Sequence, residues 1–167
     1  LKTPHLTLRE STVSDVEDFY RIYQDPSITK YMERLFPDRD EERSYMKDYI
    51  QKIYGFYGFG LWSVIHTVTG TVIGRAGLSV REGYEIPELG FVTEVAFQHQ
   101  GYTYEICEAI LRYAWDELEF PQVQAFCHPE NTASLHLLQK LGFTYAGEDL
   151  LQGIPHARYI VSLPKSC

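Results

Sequence analysis

No apolar run in this chain approaches the ~18–20 residues a membrane-spanning helix needs. Leu1-Lys2-Thr3-Pro4-His5 has neither a basic head nor an apolar core, so no signal peptide is expected. There are three cysteines, Cys107, Cys127 and Cys167, with no Cys-x-x-Cys pair. An odd, widely spaced set fits a reduced cytoplasmic protein better than a disulfide framework. No His or Cys grouping has metal-ligand spacing, so no metal is expected. Neither Gly-x-x-x-x-Gly-Lys-Ser/Thr nor Gly-x-Gly-x-x-Gly occurs, which argues against nucleoside triphosphates and nicotinamide cofactors. Basic residues are in deficit, 15 against 23 acidic, for a net charge of −8. An acidic surface disfavours nucleic acid and anionic lipid and mildly favours a cationic partner such as an amine.

What is present fits one domain of 167 residues, long enough to bury a core without staples. Leu6–Glu10 alternates as an opening strand. Ser14-Asp15-Val16-Glu17 reads as a capping box, followed by Val16, Phe19, Tyr20 and Tyr23 at helical spacing, with Asp25-Pro26 as the stop. Asp38 or Asp40 caps a second helix carrying Tyr45, Met46, Tyr49, Ile50 and Ile53. The Gly55–Gly60 stretch then reads as a mobile loop. Leu61–His66 and Thr71–Leu78 flank a Thr69-Gly70 turn as a hairpin. Glu88–Phe97 reads as a longer strand. A helix over 103–119 shows an apolar stripe and a wet face of Glu105, Glu108, Arg112 and Asp116. Val123–Cys127 is a strand, Asn131–Leu141 a helix closed by Gly142, and Phe143–Leu151 with Arg158–Leu163 a closing strand pair. The order is β-α-α-β-β-β-α-β-α-β-β, an α/β (α+β) chain. Strand 88–97, helix 103–119 and strand 123–127 form a right-handed parallel β-α-β unit.

The junction Phe97–Glu105 is the informative point. A strand runs into a Gly-containing turn and then a helix whose first N–H groups have no intrahelical partner. With the helix dipole these suit a phosphate or pyrophosphate, and Gly101 permits close approach of the backbone. An ordinary strand-helix turn is the plainer alternative. Asn131 and Ser134 share one side of a later helix start, where Asn131 is also a plausible N-cap.

Gln98-His99-Gln100-Gly101-Tyr102-Thr103 and Asn131, Ser134, Lys140, Gly142 and Phe143 together resemble the GNAT superfamily of acetyl-CoA-dependent N-acetyltransferases. Glu88-Leu89-Gly90-Phe91, Leu6–Arg9 and Leu61–Ile65 look like the branch that acetylates ribosomal-protein N-termini. The resemblance implies one acetyltransferase domain over 1–167, with a central mixed, mostly antiparallel sheet of about seven strands and about four flanking helices. It implies that His99, Gln100, Gly101, Tyr102, Thr103, Tyr104 and Asn131 bind acetyl-CoA. It also implies that backbone of Phe91, Val92 and Thr93 pairs with the pantetheine arm. Two positions depart from the family pattern. Thr103 stands where Gly or Ala is usual, and Leu138 where many members carry a Tyr that protonates the thiolate. Ser134 is then the candidate acid.

The implied reaction is direct attack of a neutral amine on the thioester. Glu88 is the first candidate base, with Glu82, Glu85 and Glu94 as competitors and His99, His128 and His136 able to titrate near neutrality. Tyr31, Tyr54, Tyr57 and Phe59 are candidate linings of an acceptor groove. The expected acceptor is a protein N-terminus, ahead of a polyamine or aminoglycoside. A non-catalytic acyl-CoA-binding module is the alternative from another class. The oligomeric state is open between monomer and homodimer.

Overall fold

A computed structural model describes residues 1–164. Its centre is a seven-stranded sheet in the order β1-β2-β3-β4-β5-β7-β6. The strands are β1 Leu6–Arg9, β2 Leu61–His66, β3 Thr71–Ser79, β4 Glu88–Thr93, β5 Gln122–Cys127, β6 Thr144–Leu151 and β7 Ile154–Ser162. Neighbours pair antiparallel except β4 and β5, which run parallel as the β-α-β reading requires. The helices are α1 Val16–Tyr23, α2 Pro26–Thr29, α3 Arg39–Tyr49, α4 Gly55–Tyr57, α5 Tyr102–Asp116 and α6 Thr132–Lys140. The mixed, mostly antiparallel sheet of seven strands is the expected one, with short helical pieces added.

Two apolar cores sit on opposite faces. Val16, Phe19 and Ile22 of α1 pack with Ile28, Met46, Val72 and Val92. Ile106, Cys107, Ile110, Leu111 and Ala114 of α5 pack with Leu138, Leu141 and the strand residues Val123 and Ala125. Burying each large aliphatic or Phe side chain is worth roughly 1.5–3 kcal/mol.

The element ends show what the sequence pattern misjudged. Ser14 is not the cap of α1. A 3₁₀ turn over Val13–Asp15 precedes it, and the Thr12 N–H donates to Asp15 Oδ2 at 2.9 Å. Asp15 takes this place because Arg9 (2.6 and 2.9 Å) and Ser63 (2.8 Å) hold its carboxylate. Asp25 ends one helix and caps the next, accepting from Ser27 N–H at 2.9 Å. Asp38, rather than Asp40, caps α3, accepting from Asp40 N–H at 2.8 Å.

The Gly55–Gly60 stretch is not a loose loop. Helix α3 continues through a π-helical turn over Ile50–Tyr54 into α4 and stops at Gly58, whose φ of 76° leaves the helical region. Phe59 is buried behind it. Strand β4 ends at Thr93, not Phe97, because the β3 ladder ends with the Gly74–Thr93 pair. A 3₁₀ turn over Val95–Phe97 follows. Helix α5 ends at Asp116, five residues before Pro121. Its Glu105 is not on the wet face: the carboxylate accepts from Thr3 Oγ1 (2.5 Å) and His5 N–H (3.0 Å), tying the segment before β1 to α5. The Glu108–Arg112 pair forms as expected, at 3.3 Å.

Asp15 gives a pH-dependent test of the α1 side. Burial raises its carboxyl pKa, but hydrogen bonds from Arg9, the Thr12 N–H and Ser63 lower it further, and the net lies below the ordinary range. Its stabilising contribution is therefore present above the unfolded carboxylate pKa and is lost as pH falls through the lower folded value. Asp15→Asn is expected to cost about 1–3 kcal/mol at neutral pH. The Tm difference between parent and variant, followed by thermal melts, should narrow below about pH 4.

Candidate active site

β4 and β5 touch as strands at one register pair, Glu88–Gln124. Beyond it they part, leaving β4 backbone on that side without a ladder partner. Phe91, Val92 and Thr93 line this parting. Phe91 and Val92 face opposite sides, Phe91 packing on the α5 core and Val92 on the α1 core.

The turn from β4 into α5 lies at the open end. His99 and Gly101 both have positive φ, 62° and 81°. Gln98 Nε2 donates to Thr93 C=O (2.9 Å) and Gln100 Nε2 to Ala96 C=O (3.2 Å), so two side chains pin the turn. The first helical bond runs from Glu105 N–H to Gly101 C=O at 3.0 Å. The amides of Tyr102, Thr103 and Tyr104 are thus the unsatisfied start of a 15-residue helix. A Cβ built on Gly101 meets no protein atom within 4 Å, so the space over the turn is open to an anion. Thr103 turns its hydroxyl back onto Thr93 Oγ1 at 2.7 Å. The residue that departs from the family pattern is therefore satisfied inward. These features fit a pyrophosphate.

Asn131 caps α6, its Oδ1 accepting from Ser134 N–H at 3.3 Å. The Cys127 thiol donates to Asn131 C=O at 3.4 Å, holding the cap to the end of β5. Ser134 is half-buried, and Leu138, one turn on, is 1% exposed in the core.

Glu88 lies on the face of β4 shared with Val92. Arg81 donates to both its oxygens, Nε at 2.5 Å and Nη2 at 3.0 Å. They line a pocket of about 910 Å³ with Glu82, Tyr84, Asp149 and Gln152. Gln152, at the β6–β7 turn, donates to Glu33 Oε1 at 2.6 Å and joins that turn to the segment after α2. Phe126 packs behind two of the lining residues, with the Tyr84 ring edge-on at 5.6 Å and the Arg81 guanidinium over it at 5.1 Å.

The other candidates separate. Glu94 is engaged by Arg21 at 3.2 Å on the α1 side. Glu85 stays in the loop before β4, and His99 and His136 are exposed. Of the aromatic set, Tyr31 reaches this face, its ring 4.9 Å from that of His128. Tyr54 and Phe59 do not. Tyr54 is 4% exposed and bonds Ser11 N–H (3.1 Å) and Leu61 C=O, and Phe59 packs on Phe120. Both are core because α3 runs on through the π turn. Tyr57 stacks against Phe59 near the surface. Arg81, Tyr84, Gln124 and Arg158 were not found from sequence. The available signal was Gln124, a polar residue between Val123 and Ala125 in a strand, and it is fully buried.

Residues 5–144 match the acetyltransferase (GNAT) domain family. The chain belongs to the GNAT family. It is an acetyl-CoA-dependent N-acetyltransferase. This GNAT chain is 29% identical over 151 residues to an uncharacterized N-acetyltransferase, p20, of Bacillus licheniformis, covering 88% of this chain and 83% of that one. A ribosomal-protein alanine acetyltransferase from Vibrio fischeri has the same fold, with TM-score 0.81, 13% identity and coverage of 99% and 97%. So does a spermidine N-acetyltransferase chimera from Vibrio cholerae and hSSAT, with TM-score 0.77, 18% identity and 95% coverage of both chains. Among the described residues of this GNAT protein, no group of three or more His, Cys, Asp or Glu is placed to hold a metal ion. No described helix is long and apolar enough to cross a membrane.

Proposed function

We propose that this N-acetyltransferase, one domain over residues 1–167, acetylates the α-amine of a protein N-terminus. The observation that carries the cofactor half is the parting of β4 from β5 beside the free amides of α5. In this reading the pyrophosphate rests on residues 99–104, the pantetheine arm runs along Phe91, Val92 and Thr93, and Asn131 fixes the far wall. The acceptor enters over the Arg81–Glu88 pocket, whose carboxylates Glu82 and Asp149 suit an approaching ammonium. Support for a peptide acceptor is the volume of that pocket, about 910 Å³. The Cys127 thiol, a free cysteine, supports the cytoplasm as compartment.

Acetyl-CoA supplies an activated acyl carbon when bound. Glu88 accepts the proton that the amine gives up as its nitrogen–carbon bond forms. A carboxylate has about four lone-pair sites, so the two Arg81 contacts leave room for that proton. The Arg81 pair also fixes the carboxylate's orientation. The Ser134 hydroxyl donates to the sulfur released as the carbon–sulfur bond breaks. Ser134→Ala is expected to lower kcat about tenfold, the worth of one hydrogen bond, with acetyl-CoA Kd unchanged. Steady-state turnover and calorimetry on one preparation check this.

The test of function is an acceptor screen with mass detection across peptide N-termini, polyamines and aminoglycosides. Acetylation mapped to a peptide α-nitrogen is the expected result. Turnover of small amines with none on any peptide would overturn the peptide reading and leave a small-amine acetyltransferase.

A further inference from the structure

Arg158 of β7 sits beside Phe126 of β5, on the face that carries the Arg81–Glu88 pocket. Its Nε donates to Gln124 Oε1 at 2.7 Å, and its guanidinium lies 4.9 Å from the centroid of the Tyr84 ring. Gln124 is fully buried, and its Nε2 donates to Ile86 C=O at 3.2 Å. Since Gln124 is also the register partner of Glu88, the guanidinium is held where β4 and β5 part.

Two arginines thus lie over the Tyr84–Phe126 ring pair, Arg158 over Tyr84 and Arg81 over Phe126, and they are used differently. Arg81 is paired in both directions with Glu88. Arg158, like the exposed Arg34 and the buried Arg75, has no ion-pair partner among the described residues; Arg9, Arg21, Arg39, Arg43, Arg81 and Arg112 all have one. A guanidinium has five N–H donors, and Arg158 uses one of them on a neutral amide. Its Nη nitrogens are not sealed either, because the one enclosed side-chain donor without an acceptor among the described residues is Arg75 Nε. In a chain of net charge −8, a cation held stiffly by a buried glutamine and an aromatic ring, yet left without a carboxylate, is out of balance with its surroundings. Its free edge is the planar fork that matches a carboxylate with two parallel hydrogen bonds.

We propose that Arg158 binds a carboxylate of the acceptor, so that the amine acetylated here belongs to a molecule with a carboxylate within a few bonds of its nitrogen. The inference rests on the reading of this face as the acceptor side. Two sources share that chemistry: the acidic side chain of a peptide's first residue, and the α-carboxylate of a free amino acid. Glu82 and Asp149 line the pocket and meet the ammonium, while Arg158, on the same face beside Tyr84, takes the carboxylate. The charges of such an acceptor are then matched separately.

The experiment compares kcat/KM on matched pairs: a peptide beginning with Asp against the same peptide beginning with Asn, and alanine against alaninamide. Parent, Arg158→Gln and Arg158→Lys proteins are tested, with spermidine as a carboxylate-free acceptor. The parent is expected to prefer the acid of at least one pair by ~10–100-fold, mainly in KM, the span of a charge-assisted hydrogen-bond pair. Arg158→Gln should erase the preference, Arg158→Lys should keep part of it, and the KM for acetyl-CoA should not move. A preference confined to the peptide pair identifies an acidic first residue; one confined to alanine identifies an α-carboxylate and overturns the peptide reading alone. Equal rates on acid and amide in the parent, or a preference that survives in Arg158→Gln, overturn the Arg158 proposal alone. Turnover of spermidine with none on the four matched acceptors overturns both. Should Arg158→Gln fail to fold, Arg158→Lys still decides, since losing the fork must weaken the acid and not the amide.

Discussion

Replacing Gly101 with Asp is expected to raise the Kd for acetyl-CoA at least ~10²-fold and to abolish turnover at ordinary cofactor concentration, while the protein stays folded. Folding should survive because a Cβ at residue 101 meets no protein atom within 4 Å. The φ of 81° is the region that costs an L-residue roughly 1–2 kcal/mol, and Asp is among the residues that tolerate it best. The binding loss has a different origin. A carboxylate about 5 Å from a phosphate charge at an effective dielectric near 20 repels it by about 3 kcal/mol, which is ~10²-fold in affinity. It would also compete for the amides of Tyr102, Thr103 and Tyr104. Gly101→Ala separates the two effects, since it carries the backbone strain without the charge. Calorimetric titration of both variants checks this. Near-parental affinity in Gly101→Asp would remove the pyrophosphate from this turn.

Glu88→Gln is expected to lower kcat by ~10²–10⁴-fold, the usual span for loss of a general base. The KM for acetyl-CoA should stay the same. Gln keeps one oxygen for Arg81, so the shape of the pocket should survive. A purely structural Glu88 predicts the reverse: a lower Tm with turnover per folded molecule preserved. Arg81→Gln sharpens the distinction, because it frees both Glu88 oxygens that Arg81 now occupies at 2.5 and 3.0 Å. If Glu88 takes the proton, that variant retains a base and falls less in kcat than Glu88→Gln. Equal turnover in Glu88→Gln and parent, with the fold intact, would return the role to Glu82 or an ordered water.

Periodicity exposed α1 and α5 because each hides one stripe and wets the other, so sequence spacing and burial agree. Element ends were less legible. Ser14 and Asp15 are both competent near a helix start, and Asp15 prevails because Arg9 and Ser63 reach it across the fold. Glu88–Phe97 looked like one strand because Val92, Val95 and Phe97 are all strand formers. Pairing decides where a strand stops, and β3 offers its last partner at Gly74. Tyr54 and Phe59 were candidate linings of an acceptor groove for their aromatic faces, beside a Gly55–Gly60 stretch that reads as a mobile loop. A helix running on through a π turn put both in the core.

The chain by itself determined the strand-helix order, the cap at Asn131, and the Gln98–Thr103 turn with its following helix. All of these are local: they depend on residues within a few positions of one another, where backbone geometry and capping chemistry act directly. The tertiary structure alone decided which β4 residues share the face of the Arg81–Glu88 pocket. It also brought Arg81 onto Glu88, and Gln124 and Arg158 to the point where β4 and β5 separate. Those groups come from three strands and from the loop that leads into β4, and Glu88, Gln124 and Arg158 lie more than thirty residues apart. A charged side chain on a strand looks the same in sequence whether its partner is a carboxylate, a buried amide or solvent. Only sheet order and register fix which one it meets.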